Sequence, residues 1–221
     1  MSQPGAAETD QPGGIRVREL RLVMRGLVLL DGLSLDLRAG EILAVRGASG
    51  AGKTTLLRTL AGLLPAPAGE IDTGGGRGAM VFQEPRLLPW YSAEKNVTLA
   101  LRHLPDAPSV ARDWLQRVGL DDAMHLRPAQ MSGGMRQRTA IARALAARPT
   151  LLLVDEPFSA LNPELAQTLR DLLLDLIHRN GISTVWVTHN PDEAAAVSDR
   201  LLFMDGPPGT FRLSTGSRQT A

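Results

Sequence analysis

Three short segments of this chain carry residue types at spacings suited to holding phosphate and activating water. Gly47 to Thr55, GASGAGKTT, fits the pattern G-x-x-x-x-G-K-[ST]. Such a loop wraps nucleotide phosphates with backbone N–H groups, here those of Gly47, Ala48, Ser49, Gly50, Ala51 and Gly52. Gly47 and Gly52 are expected to let the backbone approach phosphate with no side chain between. Lys53, Thr54 and Thr55 then open a helix, whose N-terminus offers free N–H groups and the positive end of its dipole. Lys53 is expected to reach the β- and γ-phosphates, and Thr54 to ligate Mg²⁺.

The second segment is LLLVDEP, Leu151 to Pro157, an apolar run that ends in two acids. Successive strand residues point to opposite faces. One acid, Asp155, is therefore expected to hold the metal, and the other, Glu156, to polarise an attacking water. Taken alone, the pair reads equally well as surface acids at a strand end. The third segment is MSGGMRQR, Met131 to Arg138, where Ser132, Gly133 and Gly134 open a helix. That makes a second anion site, or an ordinary N-cap at Ser132. Glycine disfavours helix, so a cap alone does not explain two of them.

The elements that position these segments are legible in outline. Ile42 to Val45 reads as a buried strand before the glycine loop, and Lys53 to Ala61 as a helix stopped at Gly62. IRVRELRLVM and LSLDL read as strands, with turns at Asp31-Gly32 and Ala39-Gly40. A short strand, a glycine bend and a second strand ending at Gln83 follow. Glu94 to Gly119 is helical, broken by Pro105 and Pro108, and Ser132 to Ala147 is a further helix. Beyond Leu151 to Val154, the pattern alternates: helix at Pro163 to Arg179, strand STVWVT, helix at Pro191 to Val197, strand LLFMD. Asn190 is expected to cap the last helix, with Glu193 completing a capping box. Alternating strands and helices predict an α/β fold with a mainly parallel sheet, and the early meander an antiparallel lobe.

Composition narrows the classes. The 221 residues suffice for one domain with a sizeable core. A net charge of +1 offers no general basic surface for nucleic acid. The absence of Cys suits a reducing compartment. No apolar run reaches the ~20 residues a membrane span needs. The start of the chain lacks a signal peptide's basic and apolar regions. Residues 1–14 and 212–221 are expected to be disordered tails.

Taken together, these residues resemble the ATP-binding cassette (ABC) ATPase family of transporters, from about Ile15 to Phe211. The family's motifs occur in order: the phosphate loop, Gln83, Ser132-Gly133-Gly134, Asp155 and Glu156, Ser159-Ala160-Leu161-Asn162, and His189. The resemblance implies a P-loop NTPase fold of ABC type, with a domain at 15–211, a helical signature subdomain at about 85–148 and no further domain after Phe211. It implies ATP and Mg²⁺ as cofactors. It also implies a second copy of the chain, head to tail, so that Ser132 and Gly134 act on the partner's γ-phosphate. Gln83 would join the metal and water, and His189 would contact the γ-phosphate.

The phrase VFQEPRLLPW, Val81 to Trp90, is similar to the nitrate, aliphatic sulfonate and taurine importer branch. MSGGMRQR and FMDGPPGTF agree with that likeness. It implies a transmembrane permease docked on the Gln83–Trp90 region, a substrate-binding protein on the assembled transporter, and a peripheral place on the cytoplasmic face of the membrane. Alternatives are a soluble relative working on DNA or ribosomes, or a degenerate nucleotide-binding regulator. Three departures stand out. Met24 takes the place of the family's adenine-stacking aromatic, so weaker stacking is expected. Asn162 replaces an Asp but remains a good N-cap before Pro163. The stretch from Gly69 to Gln83 is short, so a trimmed antiparallel lobe is expected.

Overall fold

A computed structural model describes residues 14–206 and 209–215; the tail segments 1–13 and 216–221 lie outside them. In chain order its first elements are β1 (Ile15–Met24), β2 (Leu27–Leu37), β3 (Ile42–Gly47), α1 (Lys53–Leu60), β4 (Ala68–Asp72) and β5 (Gly78–Val81). There follow α2 (Ala93–Ala100), α3 (Ala107–Arg117), α4 (Gly133–Ala146), β6 (Leu151–Asp155) and α5 (Pro163–Arg179). The last are β7 (Ser183–Val187), α6 (Pro191–Val197), β8 (Arg200–Met204) and β9 (Phe211–Thr215). Residues 212–215, expected in the C-terminal tail, thus belong to a strand that pairs antiparallel with β8.

Strands β2, β1 and β4 form an antiparallel sheet. The β1–β2 turn falls at Arg25-Gly26, where both φ values are positive, 51° and 80°. That is the two-residue turn whose twist suits a hairpin. Asp31-Gly32, expected to be a turn, lies inside β2 instead. The register steps from Leu20↔Leu33 to Leu22↔Leu30 there, so β2 carries an extra residue, and Gly32 takes φ 73°. An Asp-Gly pair can serve a bulge as well as a turn, because both need the left-handed region. A further shift lies between Val17 and Leu20, where Glu19 has φ 46°. It changes the strand's parity, so Ile15, Val17, Leu20 and Leu22 all face inward. The Ser34 hydroxyl pins this bulge: it accepts from the Glu19 N–H at 2.9 Å and donates to Oε1 at 2.8 Å.

The main sheet runs β5-β6-β7-β3-β8-β9, and every pair but the last is parallel. Its central strands β6, β7 and β3 are buried on both faces, as a sheet covered on both sides requires. Leu152, Val154 and Trp186 pack with α2–α5, whereas Leu151, Leu153, Val185 and Val187 pack with α1 and the antiparallel lobe. Among the helices, α2 and α3 are separated at residues 101–106. Pro108 does not break α3 but sits in its first turn, where its missing N–H costs nothing. The Asn162 side chain caps α5 through the Leu165 N–H at 2.9 Å, as expected of Asn at that position.

Strand β3 enters the glycine loop at Gly47, opposite Met204 of β8. A Cβ on Gly47 would collide with the Met204 carbonyl oxygen, and its φ is 155°. Gly47→Ala should therefore lower the urea unfolding free energy by more than about 2 kcal/mol. Gly50, at φ 82° with nothing near its missing Cβ, is the control. Gly50→Ala should cost only about 1 kcal/mol, from backbone strain alone.

Candidate functional site

The parallel order delivers the ends of β5, β6, β7 and β3 side by side. Gln83, Asp155 with Glu156, His189, and the loop from Ser49 to Thr55 thereby meet at one open cleft of about 630 Å³. Helix α1 begins there with Gly52 as its N-cap, without a side-chain cap and without an acid in its first turn. Its positive end is therefore left to a ligand. The missing side chain of Gly52 also has a packing consequence. Its Cβ would sit 3.0 Å from Leu29 Cβ, so the glycine lets the hairpin pack under the loop. Gly47 likewise makes room for β8.

Lys53 is buried, and its Nζ donates to the carbonyls of Gly47 at 2.8 Å and Ala48 at 2.9 Å. The cation is thus held at the loop by neutral acceptors. The Thr54 hydroxyl donates to Asp155 Oδ1 at 3.2 Å, which brings the two expected metal ligands together. Both are hard oxygen donors, and with Gln83 beside them they fit Mg²⁺, which takes few protein ligands and completes its shell with phosphate and water. Burial pushes the Asp155 pKa up, and the neighbouring Glu156 charge adds to it. The Thr54 hydrogen bond and the cations Arg58 and Lys53 pull the other way.

Contrary to expectation, the two acids do not diverge by strand pleat. Strand β6 ends at Asp155, and Glu156 turns into the left-handed region at φ 43°. Both side chains therefore line the same cleft. The Glu156 N–H donates to Val187 O at 3.1 Å, and its Oε2 lies 2.9 Å from His189 Nδ1. The segment carrying His189 is fixed by its neighbours. Asn190 Oδ1 accepts from the N–H groups of Asp192 and Glu193 at the start of α6. Glu193 does not complete a capping box. Its carboxylate accepts from the Thr188 hydroxyl, and that hydroxyl oxygen accepts the Asn190 N–H. Thr188 escaped the sequence reading because its burial and its partners are set by the fold.

Met24 lies at the cleft's rim with Arg25 and Leu27, and is 39% exposed. Ser132, Gly133 and Gly134 do not line the cleft. Ser132 caps α4, accepting from the Met135 N–H at 3.2 Å. Gly134 has a packing reason: its Cβ would meet Leu165 Cδ2 at 2.9 Å. Gly133 has none, since the nearest atom to its Cβ would be 3.5 Å away. Its lack of a side chain leaves the helix end open.

Next to Gln83, the segment Phe82 to Ser92 is held from below. Arg143 of α4 donates to the carbonyls of Pro85 and Arg86, both at 2.8 Å, and burial lowers its pKa. Gln137 of the same helix donates to Phe82 O at 3.4 Å. Buried Asn96 accepts the Leu88 N–H at 2.7 Å and donates to the carbonyls of Leu88, Tyr91 and Ser92. Trp90, in contrast, is 61% exposed.

A model of the ABC transporter family matches residues 30–159. The aliphatic sulfonates import ATP-binding protein SsuB 1 of Pseudomonas savastanoi pv. phaseolicola is 43% identical over 201 residues, covering 89% of this chain and 83% of that protein. Among solved structures, an inward-facing ABC transporter superposes with a TM-score of 0.84 at 28% identity, over 91% of this chain and 83% of that one. A dimeric, post-hydrolysis state of the ATP-binding cassette MJ0796 with ADP and Pi gives 0.78 at 25% identity, over 93% and 100%.

The raised Asp155 pKa has a thermal consequence. Burial favours its protonated form in the folded state, so its contribution to stability is full below the ordinary carboxylate range, near pH 4. That contribution is lost as pH rises through the raised value. Asp155→Asn removes the loss. Without nucleotide, the variant should melt at or above the wild type at roughly pH 8, and Mg²⁺ with ATP should raise the wild-type midpoint by more than the variant's. Melts across roughly pH 4 to 8 check this, and a variant melting well below wild type at the upper end would contradict it.

Proposed function

Because this chain belongs to the ABC transporter family and is an ATP-hydrolysing cassette, we propose that it energises an importer of aliphatic sulfonates or a related small compound such as taurine or nitrate. The observation that carries the chemistry is the meeting of Thr54–Asp155 and Glu156–His189 beside the phosphate loop. The name of the sulfonate-import relative supports the substrate class.

In this reading the loop N–H groups and Lys53 bind the ATP phosphates, and Met24 lies under the base. Thr54, Asp155 and Gln83 would hold Mg²⁺, which would supply charge neutralisation to the phosphates. Glu156 orients the attacking water and takes its proton. The water oxygen bonds to the γ-phosphorus as the bond to the ADP oxygen breaks, and the electron pair leaves on ADP. His189 holds the Glu156 carboxylate in the ground state and contacts the γ-phosphate once ATP is bound. Ser132 to Gly134, remote from their own chain's cleft, face the ATP of a second, head-to-tail copy. The exposed Trp90 and the anchored loop around it dock a transmembrane permease on the cytoplasmic side of the membrane, and a substrate-binding protein delivers cargo to that permease. Among the described residues no helix is long and apolar enough to cross a membrane.

Glu156→Gln should bind ATP with wild-type affinity while kcat falls at least about 100-fold. Turnover at the wild-type rate would refute the base assignment. Tagged protein drawn from its native membranes in detergent should bring down a multi-span permease, identified by mass spectrometry. Recovery of DNA or ribosomal proteins without a permease would overturn the transport reading.

A further inference from the structure

The segment FMDGPPGTF, Phe203 to Phe211, has no part in the chemistry above, yet its Gly209 lies against β2, the strand that lines one side of the nucleotide cleft. The Gly209 N–H donates to the Val28 carbonyl oxygen at 3.3 Å. A Cβ on Gly209 would collide with the Leu29 carbonyl oxygen and crowd the Leu30 nitrogen at 2.8 Å. The backbone of Gly209 is not left-handed, so this close approach alone requires glycine. Gly206, in the same segment, has nothing within 4 Å of its missing Cβ.

Gly209 meets β2 where that strand is irregular. β2 is an edge strand, with β1 as its neighbour in the sheet. Its register steps from Leu22↔Leu30 to Val23↔Val28, which leaves Leu29 as an extra residue opposite β1. Leu29 and Leu30 are therefore both buried, although successive strand residues ordinarily point to opposite faces. The Leu29 side chain packs on Gly52, at the start of α1, and lines the cleft with Met24 and Leu27. Leu29 thus has its backbone against Gly209 and its side chain against the phosphate loop. The Met24↔Leu27 pair at the cleft's rim follows Val23↔Val28 directly in register, so the place of Val28 sets the place of the rim.

We infer that Gly209 is a positioning residue for nucleotide binding: its contact with Val28 and Leu29 holds the rim of Met24 and Leu27 against the base, at a fixed distance from the phosphate loop. The inference rests on the placement of the base against Met24. Inorganic tripolyphosphate carries phosphates without a base, so it separates the two parts of the site. In calorimetric titrations with Mg²⁺, Gly209→Ala should bind ATP about fivefold more weakly, and tripolyphosphate within about twofold of wild type. Its KM for ATP should rise while kcat stays within about twofold. Gly206→Ala should match wild type with both ligands, and Met24→Ala should repeat the pattern of Gly209→Ala. In the wild type, the Gly209 amide should exchange its hydrogen more slowly with ATP bound than with tripolyphosphate, a readout that stands even if the variant does not fold. Wild-type ATP affinity in Gly209→Ala, or an equal loss of both ligands, overturns the positioning role. So does a Gly209 amide that exchanges alike with both. Wild-type ATP affinity in Met24→Ala overturns the placement of the base, and the inference with it.

Discussion

Parallel pairing is the constraint on which the site depends. Strands β5, β6, β7 and β3 are adjacent and run the same way, so their carboxyl ends emerge at one edge. Each end needs only one or two residues of the right type. The register keeps them level: Asp155 pairs with Val187, and Thr188 donates its N–H to Val45 O at 3.2 Å. A slip of one residue between β6 and β7 would exchange the faces of Asp155 and its neighbours and separate Glu156 from His189. The apolar interiors of these strands, buried on both faces, hold that register.

The charges at this edge are arranged for a guest. Lys53 is satisfied by neutral carbonyls, not by either acid, so its positive charge is not cancelled within the loop. Asp155 accepts from Thr54 and is kept reluctant to ionise by burial. A buried acid of this kind gains from a nearby cation, and a loop rich in N–H donors gains from an anion. Magnesium with ATP supplies both at once, so nucleotide and metal are bound better together than apart.

Much of this was readable from sequence because it is local. Runs such as Leu151 to Val154 and caps such as Ser132, Asn162 and Asn190 declare themselves within a few residues, and all three caps make the bonds their side chains suggest. What escaped depends on partners distant in the chain. Asp31-Gly32 has the chemistry of a turn, and only the pairing of β2 with β1 makes it a bulge. Gly47, Gly52 and Gly134 were legible as glycines, but Met204, which demands the first, and Leu29 and Leu165, which pack closely on the other two, come from other elements. The departure of Glu156 from the strand's alternation could not be read either, since nothing in Asp-Glu-Pro announces a positive φ.

Helix α4 ties two remote surfaces into one solid piece. Ser132 caps one end, and near the other Arg143 grips the backbone of Pro85 and Arg86. Eleven residues of helix separate them, a rod of roughly 16 Å at 1.5 Å per residue. A tilt of about 10° about one end carries the other through about 3 Å, the length of a hydrogen bond. Lever arithmetic of this kind means that a displacement of the outer loop is felt at the far end of the helix on the scale of one hydrogen bond.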